Sequence, residues 1–412
     1  MMKQQRDLKD WSYCLKDINK ALFLLFLLSN LSANELSTDI LSSTKQEGLI
    51  LQANQNDARS SKLKKDWLNP IILSWKYKKD DNFKTKTATL HIDQPIFKSG
   101  GIYHAIKYAN SMKRYGQSSL IITQNQLIKN AYEILFNIKK IDLSMQKQKL
   151  LIQNSKIDVN KKRELVSNGL LDSTFLNNAI LDKNFKQNVL FDLELNRQTL
   201  INSFANISDK EYDSFELPHL KLIDNQEFID KNIVLKNSKE KIESESRFHN
   251  MTISKYLPSI NFFYDKTKYI SSTNPAFDDP TKKYLYNDQM YGIKASIIFD
   301  TRTFNDVQNA KVDYLKAKNN LSDKKISEDN YYKDVIFRLN ILDKKIALSN
   351  EDIELYSNLV DEFDEQFQAG LKTKDDLDMM KNSKSIKEFD KKIFSIEKNI
   401  ELLKLYEKIE QE

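Results

Sequence analysis

The sequence predicts a mainly α-helical chain with a smaller β-barrel part, built twice from one unit: a two-strand hairpin followed by a long coiled-coil helical hairpin. Three observations carry this expectation. The 412 residues include only 7 Gly and 6 Pro, where average usage would give roughly 29 and 21, so turns are few and long uninterrupted helices are expected. ELVSNGLLDSTFL at 164–176 resembles EQFQAGLKTKDDL at 365–377, with Glu164/Glu365, Gly169/Gly370, Leu170/Leu371 and Leu176/Leu377 each 201 positions apart, the mark of an internal duplication. Ahead of each long helical stretch lies a pair of segments in which apolar and polar residues alternate, the period-2 pattern of strands.

From the N-terminus, residues 21–28 read ALFLLFLL, preceded by Lys3, Arg6, Lys9, Lys16 and Lys20 and followed by Ser29, Ser32 and Ala33. A basic lead, a short apolar core and small residues after it make 1–33 an expected signal peptide cleaved near Ala33, since a membrane helix needs about 20 apolar residues. Cys14, the only cysteine, would leave with it. One thiol supports neither an internal disulfide nor a thiolate metal cluster. No later apolar run is long enough to cross a bilayer as a helix, so any membrane-crossing part is expected as strands. Lys and Arg number 64 against 58 Asp and Glu, a net charge of +6. The two signs interleave instead of forming a basic block, which argues against nucleic acid as a partner, and the regular recurrence of Leu, Ile, Phe and Tyr argues against disorder.

A first repeat is expected over 34–207, with strands at about 70–79 and 84–97 and a helical hairpin at about 102–205. A linker over 208–234 leads to a second repeat, 235–412, with strands at about 258–269 and 284–299 and a hairpin at about 303–408. In the first strand pair Ile71, Leu73, Trp75 and Tyr77 oppose Ser74, Lys76 and Lys78, while Ala88, Leu90 and Ile92 oppose Thr87, Thr89 and His91. The second pair sets Ile260, Phe262 and Tyr264 against Ser259, Asn261 and Asp265, then Tyr291, Ile293, Ala295 and Ile297 against Lys294 and Ser296. Strands of about ten residues suit an outer-membrane crossing, with Trp75, Tyr77, Tyr264, Tyr269, Tyr284, Tyr286 and Tyr291 as an interfacial girdle. The other reading of these residues is a sheet lying on a soluble core. Between the second pair, SSTNPAFDDPTKK at 271–283 is an insertion relative to the first copy and reads as a long turn-rich loop. Four strands do not close a barrel, and lipid tolerates no open sheet edge. Several copies would therefore share one: two give eight strands, three give twelve and room for a lumen.

After Phe299, apolar residues recur at steps of three and four through Val307, Ala310, Tyr314, Ala317 and Leu321, then from Val335 to Phe367. The first copy has the same seam through Leu127, Ala131, Ile134, Ile138, Ile141, Met145, Ile152, Val159 and Val166, a heptad pattern. Gly169 and Gly370 are placed to close these helices in a left-handed conformation. Asp172 or Ser173 and Thr373 can cap the returning ones, Asp376 standing three residues after Thr373 as in a capping box.

At this point the sequence resembles the TolC-like outer-membrane efflux family over nearly all of the mature chain. QPIFKSGGIYHAIKYAN at 94–110 resembles the family's passage from strand to helix, Phe299–Ala310 is its second copy, KYLPSINFFY at 255–264 resembles the leucine-proline lead into a strand, and NGLLDSTFL and AGLKTKDDL resemble the two hairpin tips. The resemblance implies a homotrimer whose twelve strands form an outer-membrane barrel and whose twelve helices form a tunnel across the periplasm, with 208–234 in a belt around its middle. It implies outward passage of substrates through an outer-membrane channel of a tripartite efflux or type I secretion system, with a periplasmic adaptor and an inner-membrane transporter as partners. Gly169, Leu170, Gly370 and Leu371 would then meet the adaptor. Lys372 and Asp376 occupy positions where such channels narrow at the periplasmic mouth, with Asp375 or Asp378 as a fallback, while Phe175 and Met379 stand where polar partners are often found. Lys372 is the expected i,i+4 partner of Asp376. On the residues alone Asp376 also reads as a plain helix cap.

No catalytic, cofactor-binding or metal residue is expected. His91, His104, His219 and His249 are dispersed, and no nucleotide-binding, nucleophile-elbow or zinc-protease motif occurs. The rival reading is a periplasmic coiled-coil adaptor or scaffold that never enters a membrane. Such proteins nest a single hairpin in Gly-rich sheet domains, whereas here two hairpins alternate with two strand pairs.

Overall fold

The computed structural model describes residues 36–79, 81, 84–272 and 287–410. The expected signal peptide, most of the 271–283 insertion, Tyr284 and Tyr286 lie outside the described residues. The elements run α1 (Ser43–Leu63), β1 (Ile72–Lys79), β2 (Lys84–Phe97), α2 (Gly101–Ser167), α3 (Ser173–Ala205), α4 (Asn225–Asp230), α5 (Ile233–Lys255), β3 (Ser259–Ser272), β4 (Asn287–Ser296), α6 (Thr303–Gln368) and α7 (Lys374–Tyr406). The duplication is visible as one order repeated, helix, two strands and two long helices. At 67 and 66 residues, α2 and α6 are each about 100 Å long.

The chain folds as two compact units. Of the described residues, one takes those within Ile50–Ile121 and Ile233–Ser327; the other takes 36–49, Ile122–Asn232 and 328–410.

In the strand-bearing unit the sheet is antiparallel in the order β1-β2-β3-β4. Its register sorts the alternating residues cleanly, because directly paired residues share a face. Trp75, Ala88 and Lys268 form one row, Leu73, Leu90 and Lys266 another, and Ile92, Tyr264 and Tyr291 a third, with Phe262 beside Ile293 below them. The other face carries Ser74, Thr89, Thr267 and Asp288, then His91, Asp265 and Met290, then Asn261 and Lys294. Tyr269 pairs with Thr87, whose β1 partner is Lys76. It therefore belongs to the polar face with Asp265 and Thr267 and not to the expected girdle, since five residues separate it from Tyr264 and strand side chains alternate; the register shift between Lys86 and Thr87 comes after it. Below the sheet, α5 packs on the start of α2. Asn237 donates to the Tyr115 carbonyl and the Ser118 and Ser119 hydroxyls at 2.8–3.1 Å, and Arg114 forks between Glu240 and Glu243 at 2.7 Å each.

The other unit holds the main hydrophobic cluster. Leu36, Ile40 and Leu41, then Ile128, Leu135 and Phe136 of α2, Phe204 of α3, Phe228 of α4, Val335 and Leu339 of α6, and Leu403 and Leu405 of α7 are all buried in it. The 208–232 linker contributes Leu220, Ile223 and Phe228 to this cluster. The segment after α7 is fastened in the same place: Asn125 donates to the Glu407 and Ile409 carbonyls at 3.2 and 2.9 Å, and Asn232 bridges to Ile409.

Candidate functional site

Both hairpin tips are built the same way. Gly169 donates to the Val166 carbonyl and Leu170 to that of Leu165, at 3.0 and 2.9 Å; Gly370 donates to Phe367 and Leu371 to Gln366, at 3.0 and 2.8 Å. With φ of +69° and +77° at the two glycines, each tip is a Schellman turn, which needs a left-handed residue that only Gly adopts without penalty. A Cβ at either glycine would meet nothing within 4 Å, so the glycines answer to backbone conformation and not to crowding. Leu170 and Leu371 follow them and stay 72% and 76% exposed. Two apolar side chains thus project from the tips, each on a conformationally fixed turn.

The returning helices start on caps. Asp172 accepts from the Thr174 amide at 2.7 Å, and Thr373 and Asp376 form the reciprocal capping box expected from their spacing, at 3.2 and 3.0 Å. Asp376 does more than cap. Its second carboxylate oxygen accepts from Lys161 of α2, and this bond, followed by those from Thr373, holds its carboxyl well below the ordinary value of 3.8. Lys372 is not its partner. It lies before the N-cap, outside the helix, so the i,i+4 geometry does not exist, and its ammonium sits 5.0 Å from the Phe363 ring centroid instead. Asp375 is exposed and Asp378 half-buried in the same first turns, while Phe175 is 54% exposed at the other tip.

The Lys161–Asp376 contact is the last rung of a ladder between α2 and α7. Lys140 faces Glu397 at 3.6 Å, Lys147 faces Asp390 at 2.5 Å, and Asn382 donates to Asn154 at 2.7 Å. The α2 members are spaced by seven, one per heptad, so they flank the apolar seam on a single side. Further pairs tie α3 to α2 through Arg197 and Asp142 at 2.6 Å, and α7 to α6 through Lys398 and Asp343 at 2.6 Å. Neighbouring helices therefore run α3, α2, α7, α6, with α3 and α6 at the outside. These two outer helices carry exposed apolar stripes, Leu181, Phe185, Phe191 and Leu195 on α3 and Phe337, Ile341, Leu348 and Leu355 on α6.

Two strand pairs joined in one sheet alternate along this chain with two long helical hairpins. No family model matches the sequence, and no curated protein matches it. Solved structures do. The outer membrane protein VceC from Vibrio cholerae aligns with TM-score 0.67 and 13% identity over 87% of this chain and 92% of its own. The CmeC outer membrane channel of Campylobacter jejuni gives 0.68 and 12% over 91% and 85%, and the open state of the MtrE outer membrane channel of Neisseria gonorrhoeae 0.64 and 10% over 90% and 87%.

The chain has a TolC-like fold.

At such identities the likeness concerns architecture, and the side chains that would act on it are this chain's own. The TolC-like frame places Gly169, Leu170, Gly370 and Leu371 at hairpin tips, and Asp376 at the start of the helix after the second tip. Sequence reasoning missed Lys161, and the signal was present: Lys140, Lys147, Asn154 and Lys161 repeat at heptad spacing along α2. Among the described residues no helix is long and apolar enough to cross a membrane, and no group of three or more His, Cys, Asp or Glu could hold a metal ion.

Proposed function

We propose that this chain is the subunit of an outer-membrane channel that extends into the periplasm and passively conducts substrates outward within a tripartite efflux or type I secretion system. The observation that carries this is the sheet. One face is largely apolar and aromatic, the other is polar and holds the Lys294–Asp93 and His91–Asp265 pairs, and both edge strands lack an outer partner among the described residues. In lipid such edges must be closed by further strands, and an apolar-out, polar-in alternation is that of a barrel with a wet interior. Residues 1–33, with their ALFLLFLL core, would direct export.

The assembly is a homotrimer of twelve strands, closed by the sheet edges and by the exposed stripes of α3 and α6. Ion pairs cross all four helices at one level, Arg197–Asp142, Lys140–Glu397 and Lys398–Asp343. In a ring of identical copies Leu195 of one subunit then stands level with Leu348 of the next. The tips, through Gly169, Leu170, Gly370 and Leu371, meet a periplasmic adaptor that joins the channel to an inner-membrane transporter. Asp376, held by Lys161 and with Lys372 on the exposed turn before it, narrows the mouth.

The deciding experiment extracts the membrane fraction of cells making the full chain, then records the purified protein in planar bilayers. Detergent-dependent extraction and stable conductance support the channel. Release without detergent would instead favour a periplasmic scaffold.

A further inference from the structure

The lysines of the sheet divide unequally between its faces. On the polar face two pairs form, Lys294 lying 2.7 Å from Asp93 and His91 2.5 Å from Asp265, while Lys76, Lys78 and Asp288 stand without a charged partner among the described residues. The apolar face carries Lys86, Lys266 and Lys268, all three exposed, and by the same register Lys79 opposite Lys84 at the strand ends. Along the described strands the register puts every Asp on the polar face and none on the apolar one, and no Glu occurs in them. Lys86, Lys266 and Lys268 have no carboxylate partner among the described residues.

Their neighbours place them. Lys86 pairs directly with Tyr77, Lys268 shares a row with Trp75, and Lys266 a row with Leu73. The rows of Lys86 and Lys268 lie toward the hairpin end, remote from the junction of β2 with α2, and that of Lys266 lies midway along β2 and β3. Lys86 and Lys268 lie on the same face of neighbouring strands, in rows on either side of the register shift. On a lipid-facing strand a lysine is strongly unfavourable at the bilayer midplane and nearly neutral at the interface, and Trp and Tyr mark that interface. Ammonium groups at that depth, without acids of their own, are complementary to the phosphate oxygens of lipid headgroups.

Resting on the channel reading, we propose that this rim, Lys86, Lys266 and Lys268 beside Trp75 and Tyr77, binds the phosphate groups of anionic lipids in the outward leaflet. The test uses the full chain in neutral detergent and native mass spectrometry, with a bisphosphorylated glucosamine lipid, phosphatidylcholine or inorganic phosphate added. Wild type should retain the phosphorylated lipid and not phosphatidylcholine, with occupancy falling as salt rises. Replacing all three lysines by Gln should weaken retention about a hundredfold, from roughly fivefold for each lysine near an anionic surface. The triple Arg variant should keep it, and Lys76→Gln with Lys78→Gln, on the opposite face, should leave it unchanged. Equal retention by the triple Gln variant overturns the proposal, as does equal loss from the Lys76 and Lys78 pair, equal retention of phosphatidylcholine, or displacement by inorganic phosphate at lipid concentration. Conductance in phosphatidylcholine bilayers is read in parallel. A triple Gln variant that conducts normally but has lost the lipid supports the site, whereas loss of wild-type conductance strikes at the channel reading itself.

Discussion

Lys161 of α2 donates to the same carboxylate of Asp376 that closes the capping box with Thr373. One side chain thus starts α7 and joins the two hairpins of a single chain near their tips. Three copies of Asp376 around an axis would repel if unpaired, but each is already offset by a lysine from its own chain. In the proposed channel the charge at the mouth would therefore be set by Lys161 as much as by Asp376. Lys161→Ala should increase cation block and cation preference in bilayers, and Asp376→Ala should reduce both. If both variants leave block and selectivity as in wild type, Asp376 is only a helix cap.

Because the folded-state pKa of Asp376 is depressed, the stability it confers is present above its unfolded pKa of about 3.9 and is lost as the pH falls. Asp376→Asn should lower the thermal midpoint at neutral pH, by an amount that reflects a cap worth about 1 kcal/mol and a partly exposed ion pair worth about 0.2–1 kcal/mol. The gap from wild type should narrow as the pH drops below about 4. A gap that stays constant down to pH 2 would show that the charge of Asp376 contributes nothing.

The architecture was legible because long helices and period-2 strands write themselves into composition and spacing. Both Schellman tips and the capping box followed from Gly169, Gly370, Thr373 and Asp376 at their sequence positions. What failed was partner choice. Lys372 is nearest to Asp376 in sequence, yet it lies outside the helix, while the real partner is 215 residues away. Tyr269 was misplaced for a different reason: it is five residues from Tyr264, so alternation itself sets it on the polar face with Asp265 and Thr267, and grouping it with the girdle by residue type overlooked that parity. The lysines of the apolar face were also present in the sequence, but their grouping depends on which rows of three strands meet.

Closure of the assembly can be read directly, since the chain from 34 onward has no cysteine. With Leu195→Cys and Leu348→Cys in one chain, oxidation should give covalent dimers and trimers on denaturing gels and nothing larger. Within one chain α2 and α7 separate the two positions. A gel showing monomer only, from protein whose assembly is intact before denaturation, would place the subunit contact elsewhere.

Lys294 lies 2.7 Å from Asp93, and Asn261 donates to the same carboxylate at 2.5 Å, on the face that would line the lumen. Lys294→Ala leaves Asp93 with a net charge that Asn261 orients but does not neutralise. The channel should shift toward cations, most strongly at low salt, where screening is weakest. Asp93→Asn should shift it the other way. Reversal potentials across a salt gradient give the answer, and identical values for both variants and wild type would move these residues off the conduction path.

The tips separate folding from docking. Gly370→Ala forces an L-residue into φ of +77°, a strain of about 1–2 kcal/mol, with no steric clash to add because nothing lies within 4 Å of the new Cβ. It should lower the thermal midpoint while leaving the tip surface nearly unchanged. Leu371→Asp does the reverse. The side chain is 76% exposed, so its replacement should cost little stability, yet it puts charge on an apolar projection that an adaptor would cover. Efflux or secretion in cells should fall sharply for Leu371→Asp, and more so with Leu170→Asp added, while conductance of the purified channel stays at the wild-type level. If both aspartate variants support full transport, the adaptor does not rest on these leucines, and their exposure has no part in assembly.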